Sequence, residues 1–157
     1  MQKIRPFLWF DDQAEEAANF YVSVFKNAKI LRDDQYRDDT HGELGTVMTV
    51  SFEIEGQEFI ALNGGPHYTL TPAISFFVNC ETQAEVDELW EKLSEGGKKS
   101  QCGWLEDKFG VSWQIIPTAL GELMSDPDDE KSGRVMKAML EMTKIDIEGL
   151  QRAYDGR

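Results

Sequence analysis

The segment GVSWQIIP, residues 110–117, places one polar side chain, Gln114, inside a short apolar run. This pattern is typical of a tight turn followed by a strand. A glutamine within a strand can bind a ligand, contribute to a metal site or face water. A catalytic metal site of the zinc type needs about three protein ligands and an open position. Gln114 is a neutral amide, so by itself it does not hold a divalent ion against water.

Strand alternation predicts which residues accompany Gln114. If Gln114 faces a cavity, Ser112 and Ile116 face it too, and Trp113 and Ile115 pack on the opposite side. The segment VMTVSFEI, residues 47–54, alternates in the same way, with an apolar side and a side that carries hydroxyls and one carboxylate. Trp104 and Cys102 are predicted on the strand next to that of Gln114, and Trp9 and Phe10 on the first strand. The candidate pocket residues are Gln114, Trp104, Cys102, Glu53, Ser51, Thr49 and Phe10.

Some of these candidates have more than one interpretation. Trp104 fits core packing as well as a pocket, because aromatic side chains supply much buried area. Cys102 has no basic neighbour in the sequence that would activate its thiol, although Lys99 could lie near it in space. Glu53 and Asp107 are the candidates for a general base. No catalytic residue is assigned on this basis.

Composition excludes several classes of function. The 157 residues carry a net charge of −13, which repels a phosphate backbone, so we expect no nucleic-acid partner. No apolar run approaches the ~20 residues that cross a bilayer, and the first residues lack the apolar core of a signal peptide. Cys80 and Cys102 form no CxxC pair and are expected to be reduced thiols. We therefore predict a cytoplasmic protein without a membrane segment.

Two stretches of the chain resemble each other. FLWFDDQAEEAANFY (7–21) and FFVNCETQAEVDELW (76–90) each contain an apolar run, a polar cap, Gln-Ala-Glu and an amphipathic helix. Asp12 with Glu15, and Thr82 with Glu85, have the spacing of a capping box. Aligning the later hairpins of the two halves places Gln114 beside Ile60. The repeat predicts an α+β protein built from two βαβββ-like modules.

The predicted boundaries follow from this repeat. Residues 1–62 form the first module, 63–72 a linker, and 73–117 a second module that is shortened by a strand because little chain separates Gly97 from Cys102. Residues 118–157 form a tail read as two helices, the second capped by Asp146. Its methionine-rich face, from Val135 to Met142, packs either on its own domain or at a dimer interface.

The amino-acid sequences of several segments resemble those of a known family. FLWFDDQAEEAANFY, ALNGGP, ISFFVNCETQAEVDELW and CGWLEDKFGVSWQIIP are similar to PhnB-like proteins of the vicinal oxygen chelate superfamily. That superfamily includes glyoxalase I, bleomycin-resistance proteins, fosfomycin-resistance enzymes and extradiol dioxygenases. The resemblance implies modules that form a curved mixed sheet, a homodimer, and a divalent metal held by His, Gln or Glu.

The metal positions that the resemblance implies are largely without donors in this chain. One falls on Gln114, one near Pro6, one among residues 73–75, and the equivalent of Gln114 in the first module is Ile60 or Ala61. We therefore predict no cofactor and a metal-free protein that binds an unidentified small molecule. The alternative is a metal-dependent lyase, isomerase or dioxygenase acting on a small carbonyl, phosphonate or aromatic substrate. The family is often labelled a demethylubiquinone methyltransferase, but the chain has no Gly-x-Gly-x-x-Gly segment to hold a nucleotide-like cofactor.

Overall fold

A computed structural model describes residues 2–157, and these residues form two compact units. The first unit ends at Leu70 and the second runs from Thr71 to Arg157. Each unit contains its own four-stranded mixed sheet and a helix that follows the first strand of that sheet. The predicted α+β class with two similar modules is confirmed.

The first unit consists of one helix and four strands. Its sheet has the order β1-β4-β3-β2, in which β1 and β4 are parallel and the other neighbours antiparallel. The elements are β1 (Phe7–Phe10), α1 (Ala14–Val24), β2 (Ala28–Gln35), β3 (Val47–Ile54) and β4 (Gln57–Asn63). Small residues on the buried side of α1, including Ala14, Ala17 and Ala18, let the helix approach the sheet closely. Tyr21 then stacks on Phe52 with ring centroids 5.9 Å apart.

The start of α1 differs from the predicted capping box. The cap residue is Gln13, and neither Asp12 nor Gln13 caps the helix with its side chain. Instead, the Ala14 N–H donates to Asn63 Oδ1 at 2.8 Å, and Asn63 Nδ2 donates to the Val47 carbonyl at 3.1 Å. Asn63 thus satisfies a free N–H of the helix and ties the helix to the sheet, so a distant residue replaces the local cap.

The second unit repeats this topology with shorter strands. Its sheet has the order β5-β8-β7-β6, again with a parallel first pair. The elements are β5 (Ser75–Cys80), α2 (Gln83–Ser94), β6 (Lys98–Lys99), β7 (Trp104–Glu106) and β8 (Ser112–Pro117). The prediction that one strand is missing was wrong, because β6 is present as a two-residue strand paired with β7. A side chain at Gly97 would overlap the Glu106 carbonyl, so glycine allows the chain to enter the sheet directly after the helix.

The predicted cap at the start of α2 is confirmed. Thr82 Oγ1 accepts the Glu85 N–H at 3.2 Å, and the Glu85 carboxylate accepts the N–H of Glu81 at 3.1 Å, one residue before the cap. Both bonds satisfy backbone donors at the start of the helix. The helix stops at Glu95 and Gly96, and Gly96 has φ +76°, a left-handed conformation that glycine adopts without a steric penalty.

The tail contains three helices, not the two that were predicted. The additional helix is α3 (Thr118–Met124), and it precedes α4 (Asp129–Leu140) and α5 (Ile147–Asp155). The predicted cap of α5 is confirmed, since Asp146 Oδ1 accepts the Glu148 N–H at 3.2 Å. In the described part of the chain, no helix has the length and apolar character needed to cross a membrane.

The tail packs on the second unit through an apolar cluster. Its buried members are Ile116, Leu120, Val135, Ile145 and Leu150. Ile116 was predicted to line the cavity of Gln114, but it is 5% exposed and belongs to this cluster because the tail helices cover that end of β8. The Gln83 side chain fixes the tail to α2: its Nε2 donates to the Ile145 carbonyl at 3.0 Å, and its Oε1 accepts the Ile147 N–H at 2.8 Å.

The turn between β7 and β8 is organised by Asp107, whose side chain is 2% exposed. Its Oδ1 accepts the N–H groups of Phe109 and Val111 at 2.9 and 3.0 Å, and its Oδ2 accepts the Trp113 indole N–H at 2.9 Å. A carboxylate that accepts several N–H groups is stabilised in its charged form where water is excluded. Asp107, predicted as an alternative general base, therefore has a structural role in this turn.

We expect Asp107→Asn to destabilise the protein by about 1.5–3 kcal/mol, because it removes charge-assisted bonds and sets an amide N–H₂ against a buried N–H donor. Urea unfolding followed by tryptophan fluorescence measures this loss. Glu106→Gln is the matched control at the adjacent, half-exposed position, where a change within about 0.5 kcal/mol is expected. Equal midpoints for wild type and Asp107→Asn would contradict the role of Asp107.

A second expectation concerns the contact between α5 and the loop before α4. The Tyr154 hydroxyl donates to the Asp126 carboxylate, which lowers the pKa of Asp126 and raises the pKa of Tyr154. A lowered carboxyl pKa contributes stability above the unfolded value of about 3.9, and that stability is lost as pH falls through the folded pKa. A raised phenol pKa contributes stability below about 10 that is lost as pH rises through the folded pKa.

Tyr154→Phe should therefore lower the melting temperature most between about pH 5 and pH 9, and the difference from wild type should vanish near pH 2. Thermal melts at a series of pH values test this. Tyr68→Phe is the control, since Tyr68 is 69% exposed and its ring contacts Trp9. A Tyr154→Phe deficit that persists at low pH would assign the effect to packing and not to the hydrogen bond.

Candidate functional site

Six polar and aromatic residues share one side of the second sheet, which we call the second open face; five are at least partly exposed and Ser112 is 3% exposed. The register gives two cross-strand rows, because residues paired across neighbouring strands point to the same side. One row consists of Ser75, Ser112 and Glu106, and the other of Phe77, Gln114 and Trp104. Leu105, Trp113 and Ile115 alternate with them and are buried on the opposite side.

Gln114 lies at the centre of the second row and is half-buried. Its Nε2 donates to Ser75 Oγ on the parallel neighbour at 3.0 Å. Within residues 2–157, its Oε1 accepts no hydrogen bond from the protein. The side chain is thus oriented by Ser75 and leaves a carbonyl oxygen that can accept an N–H or O–H of a ligand.

Aromatic rings stand on both sides of Gln114. Phe77, its partner on β5, is 54% exposed, which is unusual for a phenylalanine within a sheet. Trp104, its partner on β7, is partly exposed. An amide between two accessible rings is the arrangement that small-molecule sites use, in which apolar surfaces supply contact area and a few polar atoms fix orientation.

A cavity of about 430 Å³ adjoins this face within the second unit. Trp104, Ser112, Cys102, Lys98 and Glu106 are among the residues that line it. The sequence suggested that Cys102 lies on a strand, but it lies in the turn before β7 and has φ +58°. Trp104 and Cys102 are therefore brought together with Ser112 at this cavity, whereas Gln114 pairs with Trp104 in the same row but is not among the residues that line the cavity.

The corresponding surface of the first unit, the first open face, carries Thr49, Ser51 and Glu53. The predicted alternation is confirmed: Val50, Phe52 and Ile54 are buried at 3, 0 and 6% exposure, while Thr49, Ser51 and Glu53 are half-buried. Glu53 lies 3.8 Å from the Lys29 ammonium, its neighbour on β2. This surface ion pair gives Glu53 a solvated partner, in contrast to the desolvated site that a general base usually occupies.

Phe10 does not join the first open face. It is 3% exposed and lies with Leu8 on the side of β1 that faces the core. Trp9 takes the position that was expected of Phe10, in a row with Leu62 and Thr49. Period-2 alternation along FLWF would have identified this, since Leu8 and Phe10 share one side and Phe7 and Trp9 the other.

Trp9 borders a second cavity, of about 370 Å³, that the sequence did not indicate. Its indole N–H donates to the Gly65 carbonyl at 2.9 Å, and its ring packs on Gly64, where a side chain would overlap it. Tyr36 and His41 are among the other residues that line this cavity. Gly64 is therefore needed for the close approach of the indole.

The donor set does not fit the divalent metal that the superfamily implies. Ser75, in the region of one implied ligand, already accepts the Gln114 amide, and Ile60 occupies the first-unit position equivalent to Gln114. Among residues 2–157, no three His, Cys, Asp or Glu side chains are grouped so that they could hold a metal ion. Neutral amide and hydroxyl groups compete poorly with water for such ions.

Comparisons with known proteins agree with this fold. A family model described as 3-demethylubiquinone-9 3-methyltransferase matches residues 2–116. No curated protein matches the chain. A putative 3-demethylubiquinone-9 3-methyltransferase, PhnB protein, from Bacillus cereus is 39% identical over 74% of this chain and 99% of its own, with a TM-score of 0.68.

More distant structures share the fold alone. Protein PA1353 from Pseudomonas aeruginosa is 20% identical over 74% of this chain and 98% of its own, with a TM-score of 0.62. The fosfomycin resistance protein FosX from Listeria monocytogenes, in complex with Mn(II) and sulfate, is 17% identical over 72% of this chain and 90% of its own, with a TM-score of 0.50. The family model spans both sheets and the Bacillus relative is 39% identical, and on that evidence the chain belongs to the 3-demethylubiquinone-9 3-methyltransferase family, the group that includes PhnB-like proteins.

Proposed function

We propose that this protein binds a small, flat organic molecule on the second open face, without a metal. The observation that carries the proposal is the row of Phe77, Gln114 and Trp104, where an oriented amide stands between two accessible rings. The rings offer contact area to a planar ligand, and Gln114 Oε1 accepts a hydrogen bond from its N–H or O–H group. Phenols and planar amides have this combination of groups.

Binding is favoured over catalysis because both candidate general bases already have partners within the protein. Asp107 is occupied by backbone and indole N–H groups, and Glu53 is paired with Lys29 in solvent. FosX of Listeria has a structure with Mn(II), but the donors in this chain do not fit such an ion. The chemistry of these donors therefore favours a metal-free binding site over the metal-dependent alternative.

The family description names a methyl transfer, but nothing in the second open face supports that reaction. The chain lacks the glycine-rich strand-to-helix segment that holds a nucleotide-like cofactor in doubly wound folds. Gly64 and Gly65 serve the packing of Trp9 and a turn with φ +89°, respectively. Fold membership does not determine chemistry, so the ligand is inferred from the face itself.

Gln114→Leu should weaken the binding of planar phenols, with 4-(4-hydroxyphenyl)butan-2-one as the first probe. Losing one neutral hydrogen bond corresponds to about 0.5–1.5 kcal/mol, or roughly a twofold to tenfold higher Kd. Chemical shifts of the Trp104 indole and of the Phe77 ring report binding. The melting temperature should change little, because the protein partner of Gln114 is a half-buried serine hydroxyl and not a buried backbone group.

Gln151→Leu is the matched control, because Gln151 is an exposed glutamine of α5 that bonds Asp155. This variant should leave binding unchanged. If no planar phenol shifts the signals of Phe77, Trp104 or Gln114 at millimolar concentration, the proposed function is wrong. A large loss of thermal stability with unchanged binding in Gln114→Leu would make Gln114 a structural residue.

We also propose that the chain forms a homodimer, as its resemblance to this superfamily implies. On α4, Val135 and Met139 face the tail cluster, while Met136 and Leu140, one helical turn apart, are 45% and 58% exposed. An exposed apolar pair of this kind suits a contact between copies.

Light scattering at micromolar concentration should give the mass of two chains. The double variant Met136→Gln with Leu140→Gln should shift the equilibrium from dimer toward monomer. A wild-type monomer under these conditions would contradict the proposal, and Lys137→Gln serves as the control.

The cytoplasmic location stays a prediction from the sequence. Cys80 and Cys102 are both free thiols, which is the usual state in a reducing compartment.

A further inference from the structure

We propose that Cys102 is a covalent attachment site for neutral conjugated carbonyl compounds, that is, α,β-unsaturated ketones and aldehydes. Cys102 lines the cavity of about 430 Å³ together with Trp104, Ser112, Lys98 and Glu106. The proposal rests on the proposed function, because this cavity adjoins the second open face. It names the class of ligand and adds a chemical step to binding.

The backbone holds Cys102 firmly at the cavity. Its N–H donates to the Met142 carbonyl at 2.8 Å, and the N–H of Gly103 donates to the Thr143 carbonyl at 2.8 Å. These bonds fix a turn in which Cys102 has φ +58°, a conformation that few side-chain-bearing residues adopt. Cys102 is a partly exposed residue, whereas Cys80 is fully buried.

Ser112 provides an independent indication that a ligand oxygen belongs in this cavity. The residue is 3% exposed, and its hydroxyl makes no hydrogen bond within residues 2–157. Every inaccessible side-chain nitrogen or oxygen in this part of the chain has a partner, so the Ser112 oxygen is reached from the cavity. A nearly buried hydroxyl without a protein partner can donate to the carbonyl oxygen of a bound molecule.

The charges around the cavity favour a neutral ligand. Lys98 and Glu106 are cross-strand partners, so their charges offset each other at the rim. The neighbouring Lys99 is engaged by Glu91 at 2.9 Å. An anion would meet the Glu106 carboxylate, whereas a ketone can accept hydrogen bonds from Ser112 and Lys98 while its conjugated plane lies against Trp104.

The covalent step is a conjugate addition. The Cys102 thiol gives its proton to solvent, and the sulfur forms a bond to the β-carbon of the enone. The π electrons of the C=C bond move toward the carbonyl oxygen, giving an enolate that Ser112 and Lys98 stabilise by hydrogen bonds. Water then protonates the α-carbon. The product is a thioether ketone, no group leaves, and nothing is oxidised or reduced.

Labelling the native protein with 4-(4-hydroxyphenyl)but-3-en-2-one at pH 7.5 tests the proposal. Mass spectrometry should find one adduct on Cys102 and none on Cys80, since burial raises the pKa of Cys80 to about 12. Cys102 should react at least about tenfold faster in the native protein than in protein unfolded by urea, because the cavity holds the reacting groups together. An equal or slower native rate would overturn the proposal.

Three variants test whether the cavity, and not only the exposure of the thiol, determines the labelling rate. Trp104→Leu should slow the aromatic enone by roughly threefold to tenfold, and it should leave the rate with acrylamide, which has no ring, unchanged. Cys80→Ser should have no effect on labelling, and Cys102→Ser should abolish it. If Trp104→Leu slows both reagents equally, Trp104 is not a ligand surface and the proposal fails in this form.

Failure of this proposal is distinguishable from failure of the proposed function. The saturated ketone 4-(4-hydroxyphenyl)butan-2-one has no electrophilic carbon and reports binding alone. If it binds the second open face while the native labelling rate is not enhanced, Cys102 is not an attachment site and the binding function stands. If it does not bind and the native rate is not enhanced, both are wrong.

Discussion

The buried carboxylate of Asp107 fixes the geometry on which the second unit depends. It accepts the N–H groups of Phe109 and Val111 in the turn and the indole N–H of Trp113 in the following strand. These bonds set where β8 begins relative to β7. That register places Trp104 opposite Gln114 and Glu106 opposite Ser112, so the second open face exists only while this turn is formed.

The two units show how one topology supports two different surfaces. Phe7 pairs with Ile60 in the first sheet as Phe77 pairs with Gln114 in the second, and both phenylalanines are 54% exposed. The exchange of an aliphatic side chain for an amide gives the second sheet a directional hydrogen-bonding group. In the first sheet, Ile60 lies between Phe7 on β1 and Ser51 on β3, and the nearest carboxylate on β3, Glu53, is paired with Lys29 in solvent.

The helical tail limits how much of the second sheet is open. It buries Ile116 under Leu120, Val135 and Ile145, and it takes up the backbone N–H groups of Cys102 and Gly103 through residues 142 and 143. Gln83 holds the same segment from α2. The tail therefore closes one end of β8 and positions the Cys102 turn, so its packing and the shape of the candidate site are linked.

The sequence alone determined the cap at Thr82 and the alternation of β3, because each depends on residues close together in the chain. It also determined the α+β class, because the local patterns of residues 7–21 recur at 76–90. The sequence also singled out Gln114 as a candidate ligand-binding residue, since a polar residue within an apolar strand is a local pattern. Only the tertiary structure decided its partner, Ser75, which lies 39 positions away on a parallel strand. It also decided that Asn63 and not Asp12 satisfies the start of α1, that Phe10 faces the core, and that Ile116 lies under the tail. These outcomes depend on which distant surfaces meet, and local spacing does not encode such contacts.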